Sequence, residues 1–289
     1  MTRTVKFALA LLIAGTATSA FAQSRVVGVN AAIRNSVQIK SGAAAYRKAV
    51  LKERVSIGDD IQTAGASVLQ VLLLDRTTFT VGANARVRID RFVYDPARSA
   101  SAVGASVAKG AFRFMSGKPT RGMPGQSAVN TPVGSIGIRG TIFEGAVGAD
   151  AVRIARGEQA VGAVSADADK ATLIVLRGPG AATQGDEKAG AIDVSVDGRV
   201  VAVASPGMAL FVPGPGQAPV GPFVISDAGL SALHDLLRST PSKRGRPVSL
   251  SLEGNPVVDQ IIECSGGADP IQSPVGPVIG VASAGCRAR

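Results

Sequence analysis

Short apolar segments separated by glycine and polar turns recur from Val26 to about Val212, and this pattern constrains the fold more than any other feature. Within Ala85–Asp90, for example, Ala85, Val87 and Ile89 alternate with polar residues. Such period-two alternation is typical of a half-buried strand, in which one set of side chains faces the core and the other faces solvent. The arginines between these apolar residues are therefore predicted to lie on the solvent-exposed face of a sheet.

The same pattern of short apolar segments and turns continues after residue 147. Ala151–Ile154 and Ala171–Leu176 are apolar enough to be predicted as strands. Ile192–Val196 alternates and meets the turn pair Asp197–Gly198, and an apolar segment follows, which predicts a hairpin. The chain is predicted to be mainly β, either as a rolled or solenoid-like β domain or, alternatively, as a β-sandwich.

One amphipathic helix is predicted near the C-terminus, over residues 226–240. Ser226 or Asp227 can cap it by accepting hydrogen bonds from the amides of the first turn. Leucines recur along one side at helical spacing: Leu230, Leu233, Leu236 and Leu237. We expect the helix to cover the β-core, with a docking helix for a partner as the alternative.

The first 22 residues have the layout of a secretory signal peptide. Arg3 and Lys6 form a basic region, Phe7–Ala14 is an apolar run too short to span a bilayer, and Ala20–Ala22 offers a small-x-small cleavage site. Cleavage after Ala22 predicts a periplasmic or secreted protein that does not span the membrane. An uncleaved N-terminal anchor is the alternative.

The net charge of +10 falls to +8 when Arg3 and Lys6 leave with the signal peptide. Such a charge favours anionic partners, such as lipopolysaccharide, peptidoglycan or acidic polysaccharide. The densest cationic cluster, Lys243–Arg246, is not interleaved with aromatic residues, and no zinc-finger or helix-turn-helix spacing occurs. Nucleic acid is therefore not expected as a partner.

Cys264 and Cys286 are the two cysteines of the chain. In an oxidising compartment an even number of cysteines predicts a disulfide. A metal pair would lack further ligands, and a catalytic thiol would need the single histidine, His234. No metal site and no cofactor are predicted.

Sequence motifs of the common hydrolases, metalloproteases and nucleotide-binding enzymes do not occur in the chain. Ser135 could act as a nucleophile only if His234 folded beside it. The chain is therefore predicted not to be an enzyme.

A series of short motifs resembles the FecR domain family. Ser56–Thr63 resembles the family's Gly-Asp step, Val68–Asp75 its central strand, Lys109–Phe114 a later strand, and Val129–Glu144 its closing Thr-Pro…Arg-Gly-Thr-x-Phe signature. The resemblance covers about Val27–Val147. The motif positions, with a structural or a binding role, are Gly58, Asp59, Thr63, Asp75, Gly110, Thr131, Pro132, Arg139, Gly140, Thr141 and Phe143.

Gly137 and Gly140 predict a tight bend that aims Arg139 to one side. In a structural role, its guanidinium would pin the turn by donating to several carbonyls. In the alternative, it would face a ligand. Asp59 and the aspartate after it are interpreted as turn formers rather than metal ligands. Arg76 departs from the family pattern, because it stands where a turn glycine is usual.

The resemblance implies a β-rich domain that senses or transmits a state by contact with another envelope protein. The alternative is a basic protein that attaches to anionic envelope polymers. The oligomeric state is not predicted. The predicted organisation is a signal peptide (1–22), a FecR-like β domain (23–147), a β-rich extension (148–225), an amphipathic helix (226–240) and a Gly/Pro-rich tail (241–289).

Overall fold

The computed structural model describes residues 25–97, 100–117, 127–179 and 190–238. The predicted signal peptide and the disulfide between Cys264 and Cys286 lie outside the described residues. The described helices are α1 (Ala149–Ala155) and α2 (Asp227–Leu237). The described strands are β1 (Val26–Arg34), β2 (Val37–Lys40), β3 (Arg47–Lys48), β4 (Arg54–Ser56), β5 (Asp60–Thr63), β6 (Val68–Leu73), β7 (Thr78–Val81), β8 (Arg86–Asp95), β9 (Ala100–Met115), β10 (Ser127–Thr131), β11 (Gly134–Arg139), β12 (Ile142–Val147), β13 (Thr172–Gly178), β14 (Ala191–Val196), β15 (Arg199–Val203), β16 (Met208–Val212) and β17 (Val220–Val224).

The strands form two sheets that share the long strand β9. Sheet A has the order β4–β1–β6–β7–β9–β12–β13–β16–β17. Sheet B has the order β3–β2–β5–β8–β9–β10–β11–β14–β15. Among the described strands, neighbours are antiparallel except β9 and β10, which are parallel.

The chain passes repeatedly from one sheet to the other. β1 lies in sheet A, β2 and β3 in sheet B, β4 in sheet A and β5 in sheet B, and the alternation continues to β16 and β17 in sheet A. One hydrophobic core contains residues of both sheets. The predicted mainly β fold is thus confirmed, and the rolled path of the chain is what places the two sheets on a common core.

Phenylalanine side chains concentrate in this core on sheet A. The rings of Phe114 and Phe143 stack at 5.7 Å, and Phe112 meets Phe143 edge-on at 6.0 Å. Phe79 contacts both Phe112 and Phe114 at about the same separation. Offset and edge-on ring pairs add to the stabilisation from burial alone. A chain with few aromatic residues therefore still has an aromatic centre in its core.

Strand β9 changes sheets at Gly110. Its first part pairs with β8 in sheet B and its last part with β7 and β12 in sheet A. Gly110 has φ +81°, and a Cβ at this position would lie 2.3 Å from Cα of Ala85. Because both the backbone conformation and the contact exclude a side chain, glycine is required where the strand crosses.

Residues Ala151–Ile154, predicted as a strand, belong instead to helix α1. Gly148, with φ +90°, ends β12 and lets the chain turn into the helix. The buried positions Ala151, Val152, Ile154 and Ala155 form a helical stripe against sheet A. Four residues with mixed spacing cannot distinguish this stripe from a buried strand, which is why the prediction was wrong.

Helix α2 confirms the predicted C-terminal helix. The Ser226 side chain accepts a hydrogen bond from the amide of Gly229 at 3.0 Å. Leu233 and Leu237 are buried in a second core between the helices and the outer face of sheet A. The helix covers the β-core, as the preferred interpretation held.

Candidate interaction surface

The two outer faces of the molecule differ. Both described helices pack on the outer face of sheet A, whereas the outer face of sheet B carries no described helix. On sheet B, Val87, Ile89, Ile136 and Ile138 point into the core. Since side chains alternate along a strand, their neighbours point outward. We call this outward side of sheet B the open face.

A continuous row of polar residues crosses the open face. Each member lies directly opposite the next on the neighbouring strand, from β2 to β14. In order they are Lys40, Asp60, Arg88, Ser106, Asn130, Ser135 and Ser195. We call this row the polar ladder. Its central members have short side chains, so the middle of the face is flat and offers hydroxyl and amide groups for hydrogen bonds.

Three arginines of the open face are paired with carboxylates of the same face. Arg86 donates to both oxygens of Asp60, with Nη2 to Oδ2 at 2.6 Å. Arg139 Nη2 lies 2.9 Å from Asp193 Oδ1. Arg88 pairs with the aspartate two residues further along β8. In these three pairs each positive charge is balanced by a negative one.

A shallow groove of about 210 Å³ lies beside the Arg86–Asp60 pair. Arg88 and Ser106 also line it. Burial alone would raise the pKa of Asp60, but hydrogen bonds from Arg86 and Tyr46 outweigh burial and hold that pKa below its ordinary value. Asp60 is therefore ionised at neutral pH and holds the Arg86 guanidinium against the sheet.

The outer face of sheet A, which the two helices cover, contains a buried carboxylate. We call this side the covered face. Glu144 on β12 is 2% exposed, and its Oε1 lies 2.8 Å from Arg113 Nε and 3.6 Å from Arg177 Nε. Its Oε2 lies 3.3 Å from His234 Nε2 of α2 and has no hydrogen-bond donor among the described residues. The ion pairs of Glu144 join three strands of sheet A, and His234 of α2 lies against the same carboxylate.

His234 does not form a catalytic pair with Ser135. Ser135 lies on the open face of sheet B, whereas His234 lies on the helix that covers the opposite side of the molecule. Burial lowers the pKa of His234, the Glu144 carboxylate opposes this shift, and Arg177, Arg113 and Arg238 add to it. The histidine is therefore neutral at neutral pH, and the arrangement contradicts a Ser–His hydrolase.

The first motif positions identified from the sequence lie at turns. Asp59 accepts hydrogen bonds from the Ser56 amide at 2.8 Å and the Ser41 hydroxyl at 2.6 Å. Thr63 accepts from the Ala85 amide. These contacts hold the turn between β4 and β5 and link β5 to β8. The preceding Gly58 has φ +84°.

Asp75 caps the hairpin between β6 and β7. Its carboxylate accepts from the amide and the hydroxyl of Thr77, both at 2.9 Å, and from the hydroxyl of Ser101. The next residue, Arg76, has φ +67°. This left-handed conformation favours glycine, and the chain adopts it with an arginine.

The closing signature ties strand ends together. Thr131 pairs with Gly134 around the two-residue turn that contains Pro132. Gly140 turns with φ +54°, and Thr141 donates its hydroxyl to the carbonyl of Pro179 at 2.8 Å. The last motif position, Phe143, is part of the aromatic centre described above. The motif positions are thus spread over turns, the strand crossing and the core, and do not converge on one pocket.

Arg139 is the motif residue that reaches the open face. Its side chain is 44% exposed and pairs with Asp193 across β11 and β14. The sequence predicts that the Arg139 guanidinium donates to several carbonyls. Among the described residues, its side chain instead donates to this one carboxylate. β11 stays regularly paired through Gly137, so the bend expected there is confined to Gly140.

Comparison with known proteins finds a family model that matches part of the chain. The family model for "FecR protein" matches residues 59–179. This part of the chain is therefore similar to FecR proteins. Compared with the boundaries expected from the motifs, the match starts later and extends through α1 and β13. FecR proteins are regulators that interact with other proteins.

Two solved structures of a proposed anti-sigma factor from Parabacteroides distasonis ATCC 8503, at 2.50 Å and 1.65 Å, are similar to the chain. Identities are 15% and 13%, with TM-scores of 0.37 and 0.33. In both cases 56% of this chain and 57% of the other are covered, so the chain spans little more than half the length of these structures. No curated relative matches the chain.

Neither described helix is long and apolar enough to cross a membrane. Within the four described ranges, no three histidine, cysteine or acidic side chains gather in a way that could hold a metal ion.

Proposed function

We propose that this protein is an exported, non-enzymatic FecR-domain regulator that binds another protein of the cell envelope through its open face. The observation that carries the proposal is the contrast between the two outer faces. One face is sealed by helices over a second apolar core, and the other presents a flat polar ladder.

The shape of the open face favours a protein over a small molecule. Small-molecule sites are concave and mostly apolar, whereas non-obligate protein interfaces are flat and mix polar and apolar surface. The Arg–Asp pairs also favour a protein partner over a polyanion on this face, because each arginine already has a carboxylate. A protein partner with complementary charges can contact these Arg–Asp pairs, and such complementarity gives specificity.

Export through the N-terminal segment belongs to the same proposal. The basic residues, apolar run and small-x-small site before Gln23 support it. N-terminal sequencing of the mature protein should begin at Gln23. A membrane-bound protein that retains Met1 would contradict export as a free protein.

Photo-crosslinking in the producing cells tests the location of the partner surface. A photoreactive residue is placed at Ser135 or Ser195 on the open face, and at Ser231 or Asp235 on the exposed side of α2 as matched controls. We expect the same adduct from both open-face positions and none from the controls. An adduct formed only from α2 would make the helix the docking element and overturn the proposal.

A further inference from the structure

The turn between β3 and β4 displays aliphatic side chains among cations. Val50 is 58% exposed and Leu51 is 41% exposed. Lys48, Lys52 and Arg54 are exposed on either side of them. We call residues Lys48–Arg54 the cationic tip. A single exposed aliphatic side chain needs no explanation. Here two aliphatic side chains are adjacent and lie within a run of positive charges, and this combination does need one.

The cationic tip is held rigidly by one buried residue. Asn30 of β1, which is fully buried, donates its side-chain amide to the carbonyl of Val50 at 3.0 Å. Its backbone accepts from the Lys52 amide at 2.8 Å and donates to the Glu53 carbonyl at 2.9 Å. Ala49 is buried beside the turn. The outward position of Val50 and Leu51 is therefore built into the fold.

None of the three positive charges of the cationic tip has a carboxylate of its own among the described residues. Glu53 pairs with Arg47, and the hydrogen bond from Arg47 lowers the pKa of Glu53 despite its burial. Lys48, Lys52 and Arg54 have no acidic partner among the described residues. This differs from the open face, where the arginines are paired. The charge of the tip is available to an anionic partner.

We propose that the cationic tip docks the protein on an anionic lipid surface. Val50 and Leu51 would enter the headgroup region, and the two lysines and Arg54 would contact lipid phosphates. Interfacial binding combines buried apolar area with attraction of cations to anionic lipids, and the tip offers both in one rigid turn. The cationic tip begins at Lys48 of β3, at the edge of sheet B and of the open face, and continues through the turn to β4 in sheet A.

Lipid binding is tested with the purified mature protein and vesicles. Vesicles of phosphatidylcholine are compared with vesicles that also contain phosphatidylglycerol, and bound protein is measured by flotation. We expect binding only to the anionic vesicles, with a loss as the salt concentration rises. Equal binding to both vesicles, or to neither, would overturn the proposal.

Two double variants separate the apolar and ionic contributions. Lys48→Gln with Lys52→Gln should weaken vesicle binding by roughly 25-fold, since each cation near an anionic surface contributes about fivefold. Val50→Ser with Leu51→Ser keeps the charges and should weaken binding by about tenfold. Val224→Ser is the control: Val224 is 75% exposed but outside the cationic tip, and we expect no change.

A soluble polyanion distinguishes lipid insertion from simple charge attraction. Dextran sulfate binding should depend on the lysines and be insensitive to the Val50 and Leu51 substitutions. If the serine variant also binds anionic vesicles as well as the wild type, the aliphatic pair does not insert and the lipid proposal is wrong. Circular dichroism melts of each variant check that the fold is retained.

Discussion

The same ion pair, an arginine with a carboxylate, occurs on both outer faces of this protein in different surroundings. On the covered face, Glu144 is 2% exposed, and helix α2 lies over its contact with Arg113. On the open face, Asp193 is 36% exposed and Arg139 44% exposed. A charge removed from water needs its partners, whereas an exposed pair gains little net energy. The comparison teaches that one face contributes to stability and the other is free to contribute to recognition.

The largest expected effect comes from the apolar layer of the covered face. Leu233→Ala removes a fully buried side chain between α2 and sheet A. The loss of burial and the cavity should lower the free energy of unfolding by about 2–5 kcal/mol. Urea unfolding measures this loss. Val200→Ala, on the exposed edge strand β15, is the control and should change the free energy of unfolding by less than about 0.5 kcal/mol. Equal losses from both variants would mean that α2 does not seal a core.

The carboxylates of the two faces give the sharpest matched pair. Glu144→Ala should cost about 2–4 kcal/mol, because Arg113 and Arg177 would lose a buried counter-charge. Asp193→Ala should cost less than about 1 kcal/mol. Chemical denaturation of both variants checks the difference. A similar loss for the two would remove the distinction between the faces.

The pH dependence of stability should carry the signature of His234. Burial depresses the pKa of this residue below its ordinary value of 6.5, so the unfolded chain binds the proton more readily than the folded one. The contribution of His234 to stability is therefore fully present above about pH 7 and is lost as the pH falls through 6.5 towards the folded pKa. His234→Gln should remove this component from urea midpoints measured between about pH 5 and 8. An unchanged pH profile in the variant would show that the histidine is not desolvated.

The smallest expected effect is that of Arg139→Ala. Sequence alone predicts a destabilised turn, but the single exposed contact with Asp193 predicts a loss below about 1 kcal/mol. Thermal unfolding of the variant beside Arg113→Ala checks this. A melting temperature as low as that of Arg113→Ala would restore the structural role of Arg139.

Elements that depend on neighbouring residues were predictable from the sequence. The alternation of Val87 and Ile89 with arginines places the right side chains in the core. The turn Asp197–Gly198, with both φ values positive, joins β14 and β15 as expected. The cap at Ser226 begins α2. In each case the local conformational preference and the final fold agree.

Features that depend on strand register could not be predicted. Ser106 faces Asn130 because β9 and β10 pair in parallel, and no local pattern specifies that pairing. The buried Glu144 did leave a signal, since a single carboxylate within the apolar strand Ile142–Val147 must find partners. The partners themselves come from β9, β13 and α2, far apart in sequence.

The most direct test of the central claim is the crosslink yield from Ser195 when Asp193 is changed to lysine. The substitution reverses one charge of the open face without touching the core. Recognition through this face predicts a folded protein with a urea midpoint close to that of the wild type and an adduct reduced at least fivefold, roughly the effect of 1 kcal/mol of unfavourable charge contact. A wild-type yield from the folded variant would contradict the account, because the partner would then be bound elsewhere.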